Sequence, residues 1–225
     1  MPIVADEIKT LVERACTEGH VLVHGVDWDF YEAVLEEVGD RRIFVTYDRG
    51  ELEIMPPSEE HEEDNVVIGR LIVYIADELG LAFRSLRSTT WKRKDLDCGA
   101  EADDCYYFQS YPKVPLRKKI NLQTDPPPDL VLEVDISHRS LKKDAIYARL
   151  GVPELWRCDN GRLSFYHLKA GKYVKRSHSL VFPAVASSDL EHFVKLYDEL
   201  HQPDARREFI KWIRKNLKKS PRRRS

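Results

Sequence analysis

Apolar residues recur at helical spacing in some stretches of the chain and alternate with polar ones in others. Residues 3–17 carry Leu11, Val12 and Ala15 on one stripe and stop at Gly19, which predicts a helix. Residues 29–38, ending at Gly39, predict a second. "RIFVTYDRGELEIM" then gives two alternating runs around Asp48-Arg49-Gly50, a hairpin signal. Next, Ser58 stands where an N-cap belongs, acids fill residues 59–63, and Gly80 marks a stop. Between them Val66, Val67, Ile68, Leu71, Ile72 and Ile75 leave hardly a polar face, so this helix is expected to lie buried against a sheet. "HVLVH", residues 20–24, reads as extended.

Strands are expected at residues 82–93 and 102–108, then a loop over 109–128 and a strand from Asp129. Ser140 is placed to cap a short helix that ends at Gly151. "ELWRCDNGRLSFYHL" is a strand pair turning at Asn160-Gly161, and "HLKAGKYVKR" continues the meander. Helices over 188–200 and 204–217 close the chain. This order predicts an α/β (α+β) domain over residues 1–217, built around one mixed β-sheet flanked by helices. Residues 218–225 read as a basic disordered tail.

The stretch "PPPDLVLEVDIS" carries a conflict. Alternation puts Leu130, Leu132, Val134 and Ile136 on one row and Asp129, Val131, Glu133 and Asp135 on the other. Same-face neighbours lie about 7 Å apart, where two unpaired charges repel by roughly 2–2.5 kcal/mol at an effective dielectric near 20. Solvent, a basic partner or a metal ion must offset that cost. On repulsion alone, Glu133→Ala is expected to leave the protein folded. "EADDCYYF" is acidic as well, with Glu101, Asp103 and Cys105 on one face. If it lies beside 129–136, Asp103 and Glu133 converge and can hold a divalent cation; otherwise these acids are solvated strand ends.

Composition narrows the partners. The 225 residues carry a net charge of −2, but residues 206–225 hold ten Lys or Arg against the single acid Glu208. A basic end on an acidic body suits a polyanion or a solvated tail. No apolar run reaches the length of a membrane span, and the first residues are too acidic for a signal peptide. The four cysteines form no CxxC pair and read as free thiols, so a cytoplasmic location is expected and a structural zinc site is not. No phosphate-binding glycine loop, G-x-S-x-G or H-E-x-x-H occurs. Lys143, on the first turn of the helix after the acidic strand, can fold back to neutralise the carboxylates. Glu60 and His61 either serve the helix dipole or complete a metal or water network.

"YDRGELEIMPPSEEHE", "STTWKR", "EADDCYYF", "PPDLVLEVDIS" and "LKKDAIYARLGVPELWR" occur in the order seen in the Uma family of restriction endonucleases. The chain resembles that family, part of the PD-(D/E)XK nuclease superfamily, over roughly residues 28–212. The resemblance implies a restriction-endonuclease-like fold, Mg2+-dependent hydrolysis of DNA phosphodiesters (with Mn2+ as a substitute), DNA as partner, and no membrane; it allows a homodimer. By position, Asp103 matches the first acid, Glu133 the second and Glu60 the acid on the preceding helix. Asp135 occupies the place of the usual lysine and becomes a third ligand or an outer acid, while Lys143 supplies the cation. Ala102 replaces the usual proline. These departures keep a second reading open, an inactive nuclease-fold protein that binds nucleic acid or serves assembly.

Overall fold

The computed structural model of the protein describes residues 5–56, 59–115, 119–135 and 141–218, with the backbone alone at 5, 59–62 and 135. The expectations for Ser58, Ser140 and residues 219–225 lie outside the described residues. Helix α1 (Ala5–Glu18), strand β1 (Val21–His24) and helix α2 (Trp28–Val38) lead to the hairpin of β2 (Phe44–Asp48) and β3 (Glu51–Met55). Helix α3 (Glu59–Leu79) is followed by β4 (Arg84–Ser85), β5 (Thr89–Arg93), β6 (Cys98–Ala102) and β7 (Asp104–Tyr107). Then β8 (Leu130–Asp135), α4 (Lys143–Leu150) and β9 (Glu154–Asp159) form a strand–helix–strand unit, and β8 and β9 are parallel. The meander of β10 (Arg162–Lys169) and β11 (Lys172–Arg176) extends it, and helices α5 (Ser187–Glu199) and α6 (Gln202–Asn216) follow. No helix among the described residues is long and apolar enough to cross a membrane.

Local chemistry accounts for several of these boundaries. Asp27 caps α2, its Oδ1 accepting the Phe30 N–H at 2.8 Å. Asn160 and Gly161 both adopt positive φ (49° and 71°), as a tight two-residue hairpin turn requires. Lys218, first residue of the expected tail, sits 2.7 Å from Glu78 against α3.

The strands do not gather in one sheet. A five-stranded sheet has the order β1-β3-β2-β6-β5, and a six-stranded mixed sheet has the order β11-β10-β9-β8-β7-β4. The segments expected as two continuous strands form one antiparallel hairpin that passes from the second sheet to the first and back. Its register is the same on both sides of the crossing, with Ser85 opposite Tyr106 and Thr89 opposite Ala102. Counting along both arms places Ser88 opposite Asp103 and Arg87 opposite Asp104, in the gap between the sheets.

The two rows of β8 enter different cores. Leu130, Leu132 and Val134 pack with Ile68, Leu71 and Ile72 of α3, with Trp156 and with the closing helices. Val131 packs with Trp91, Tyr107, Ile146 and Tyr147. Helix α3 is thus buried against the sheet, and Gly69 lets it approach β7 closely. A Cβ there would stand 3.1 Å from both Asp104 Oδ2 and the Tyr106 hydroxyl. The first sheet packs its own cluster, in which Tyr31 stacks on Tyr47 at 5.0 Å.

Tyr31 fills the space over Gly99 of β6, where an added Cβ would meet its Oη at 2.2 Å and its Cζ at 2.8 Å. Gly99→Ala is therefore expected to cost about 1–3 kcal/mol through overpacking. Urea unfolding should show a lower midpoint with an unchanged slope; an unmoved midpoint would mean that the ring has room to withdraw.

Candidate active site

The acids of β7 and β8 are not solvated strand ends: Asp103, Asp104, Asp129 and Glu133 are all buried. Each is satisfied differently. Asp129 accepts the backbone N–H groups of Phe108 and Ser110 and the Ser110 hydroxyl, at 2.7, 2.9 and 2.8 Å, so it fastens the turn after β7. Asp104 accepts the Cys105 N–H and the Tyr106 hydroxyl, at 2.8 and 2.5 Å. Burial pushes its carboxyl up from the ordinary range. Neither lines an open cleft, as Asp103 does.

Asp103 stands at the crossing point of the hairpin. The pairing of Asp104 with Leu132 puts Asp103 directly across from Glu133 in the same antiparallel register. The strands part here, and Asp103 Oδ2 accepts the Val134 N–H at 2.8 Å, satisfying a buried donor by side chain instead of backbone. From the other side Asn65 Nδ2 donates to the Asp103 carbonyl at 3.2 Å. Asn65 lies one helical turn before Gly69, so the close approach of α3 at that glycine holds the amide over Asp103.

Glu133, 4% exposed, is met by Lys143, 5% exposed. The Lys143 ammonium lies 3.3 and 3.1 Å from the two Glu133 oxygens and also donates to the Glu101 carbonyl. It sits 5.3 Å from the centroid of the Phe44 ring. Tyr147, one turn later in α4, donates its hydroxyl to Glu133 Oε1 at 2.5 Å, a short charge-assisted bond. A lysine on the first turn of a helix opposes the helix dipole, so the carboxylate stabilises the position as much as the lysine stabilises the carboxylate. Lys142, the preceding residue, is exposed. Glu60 lies on the first turn of α3 and Asp135 pairs by backbone with Asp159, but the side chains of both, and of His61, lie outside the described residues.

Glu101 is a third carboxylate at this place. Burial pushes its carboxyl up to about 7; Lys143 pulls it down, and the charges of Asp103 and Glu133 push it up further. Three carboxylates thus stand close together here, with Lys143 against Glu133. Glu101, Asp103 and Asn65 line a cleft of about 670 Å³ bounded by the end of α2, β2, α3, β5, β6 and the hairpin crossing. Asn65 Oδ1 is buried there without a hydrogen-bond partner among the described residues. Oxygen donors and two facing carboxylates suit a hard divalent cation. Among the described residues, no three His, Cys, Asp or Glu side chains gather tightly enough to hold a metal ion. Magnesium needs only one or two carboxylates beside water and phosphate.

The model of the Uma2 family, described as "Putative restriction endonuclease", matches residues 28–195, about three quarters of the chain. The chain belongs to this family. It is also similar to a solved structure from Anabaena variabilis, described as "a putative nuclease belonging to DUF820". The identity is 14% and the TM-score 0.48, over 67% of this chain and 90% of that one. No curated protein matches the chain. The matched Uma2 region includes Asp103, Glu133 and Lys143, and the description of the family points to nuclease chemistry.

Three residues of the cluster were missed as site residues from sequence. Asn65 is an uncharged polar residue where the acidic start of α3 gives way to its apolar run, which was a usable signal. Glu101 shares a strand face with Asp103 and could have been counted with it. Tyr147 gave no signal, being indistinguishable in sequence from a packing aromatic. Cys105 is buried, and burial pushes its thiol up, so it offers no thiolate nucleophile.

The raised Glu101 carboxyl makes stability pH-dependent. The unfolded chain releases this proton near 4.5, whereas the folded chain keeps it to about 7. Folding therefore loses stability as pH rises through that window, and the loss is complete above it. Glu101→Gln should remove the effect and gain about 2 kcal/mol relative to wild type between pH 4.5 and 8. Denaturant unfolding at both pH values measures it; a difference that stays constant would mean Glu101 ionises normally.

Proposed function

We propose that the protein is a magnesium-dependent endonuclease that hydrolyses phosphodiester bonds in DNA, with manganese as a substitute. The observation that carries this reading is the opposition of Asp103 and Glu133 where the two sheets part, with Lys143 against Glu133 beside an open cleft. Asp103 and Glu133 would hold the ion, with Asp135 and Glu60 as further acids. Magnesium, when bound, supplies a Lewis acid that polarises the phosphate and favours ionisation of water. Lys143 and Tyr147 fix the orientation of the Glu133 carboxylate. The Lys143 ammonium would orient water and stabilise charge developing on the phosphate oxygens.

A second reading, a nuclease-fold protein that binds nucleic acid without cutting it, has one observation in its favour. Both Glu133 oxygens are already engaged by Lys143, and one also by Tyr147. A metal-dependent cleavage assay on plasmid and linear DNA separates the two.

Burial of the pair changes what mutants of this site should do. Harmless loss of Glu133, the expectation from repulsion alone, does not hold where removal strands a buried ammonium. Glu133→Ala should cost about 3–5 kcal/mol. Glu133→Gln keeps the volume and should abolish cleavage at a smaller loss of stability. Lys143→Met should lower the cleavage rate by about 10²–10³, whereas Lys142→Met, altering an exposed residue, should be nearly silent. Rates measured alongside melting curves make the test: equal losses from both lysines would indicate general attraction of substrate. No loss at Lys143 in an active enzyme would remove it from the mechanism.

A further inference from the structure

The cleft beside Asp103 changes sign between floor and rim. Glu101 and Asp103 lie at the floor, while Arg41, Arg42, Arg87, Lys92 and Lys119 stand in its lining with one exposed acid, Asp40. A second cleft of about 460 Å³ shares Thr90, Lys92 and Lys119 with the first, so a continuous depression follows β5. Its cations are not equivalent. Arg41 is held by the Glu37 carboxylate at 2.8 Å and Lys92 by Glu32 at 2.6 Å. Arg87 and Lys119 are exposed, and neither has a hydrogen bond or ion pair from its side chain to a described residue.

Arg87 is also unusual in its backbone. Among the described residues, five non-glycine residues adopt positive φ; Arg49, Asn160 and Ala170 each precede a glycine in a hairpin turn, and Asp97 ends a short 3-10 helix. Arg87 (φ 51°) lies instead in the crossing between the sheets, opposite Asp104 and next to the level of Asp103. The left-handed region disfavours a long side chain and suits Gly or Asn, so arginine there gives the backbone nothing. What it provides is a cation at the mouth of an acidic cleft. The buried Asn65 Oδ1 in the same cleft, without a partner among the described residues, is a second sign that a ligand completes this place. Arg87, whose charge also acts on the Asp104 carboxyl, and Lys119 are separate exposed cations along a depression beside acids that would repel a small anion, and they fit a ligand with spaced negative charges.

We propose that Arg87 and Lys119 bind successive backbone phosphates of a polynucleotide, Arg87 nearest the acids and Lys119 farther along the depression. The identity of the polyanion rests on the nuclease reading; the placement of the two contacts does not. The test is the salt dependence of binding by the full chain, without divalent cation, to labelled duplex and single-stranded DNA of one sequence. Arg87→Gln and Lys119→Gln should each flatten the plot of log affinity against log salt by about 0.9 on duplex or about 0.7 on a single strand, and the double variant by about twice that. The arm showing the loss identifies the form bound. Lys211→Gln removes an equal charge from the exposed face of α6 and should leave the slope unchanged. Arg87→Asn should weaken binding equally while raising the melting temperature, since Asn tolerates this backbone. Slopes that do not move, that move equally for Lys211→Gln, or a wild type that binds neither DNA would overturn the proposal. Cleavage assays with the same proteins keep the two readings apart. Lost slope with no cutting by wild type would defeat the nuclease and leave the phosphate contacts standing, and cutting with unmoved slopes would do the reverse.

Discussion

A carboxylate placed in a strand that is buried on both faces needs a proton or a cation, and Lys143 supplies the cation to Glu133. Withdrawing either charge alone from water costs several kcal/mol, which their attraction offsets only when the remaining hydrogen-bonding capacity is also met. Tyr147 and the Glu101 carbonyl meet it, and the Phe44 ring covers the ammonium. One ion pair therefore ties β8, α4, β6 and β2 together. The core and the candidate site are the same object here, so substitutions that probe chemistry also probe folding.

The second constraint is the hairpin that belongs to two sheets. A backbone that leaves one sheet for another must give up ladder hydrogen bonds at the crossing, and buried N–H groups cannot be left unpaired. Asp103 meets that demand by accepting the Val134 N–H through its side chain. The same separation of strands opens a cleft whose floor would otherwise be closed by sheet. Structural necessity and the opening of a carboxylate onto the cleft coincide at one residue. Helix α3 completes the arrangement because Gly69 brings it close enough for Asn65 to reach Asp103.

Membership of the Uma2 family and the geometry around Asp103 bear on different questions. The family gives the type of protein. The geometry bears on which residues act and in what state: a paired Glu133, a Glu101 carboxyl raised by burial and by its acidic neighbours, and an acidic floor under a basic rim. Negative charge at the centre with positive charge around it is the arrangement by which a cation and a polyanion can occupy one cleft together.

The amino-acid pattern alone determined the local elements and much of the candidate cluster. Alternation in residues 129–136 marked a strand with an apolar row and an acidic row, and Asn160-Gly161 and Arg49-Gly50 marked hairpins, because period and turn chemistry are properties of neighbouring residues. The apolar run of α3 showed that it would be buried. Asp103, Glu133 and Lys143 were legible as acids and a cation out of place, and the register then set the two acids opposite each other. The division of strands between two sheets was not legible, since a strand has the same period of two in whichever sheet it lies. Nor could sequence tell that the acids are buried, that Tyr147 and Asn65 join them, or that Arg87 lines the same cleft as Asp103. Those facts depend on which distant segments share a space, and in this protein the crossing of one hairpin between two sheets decided that.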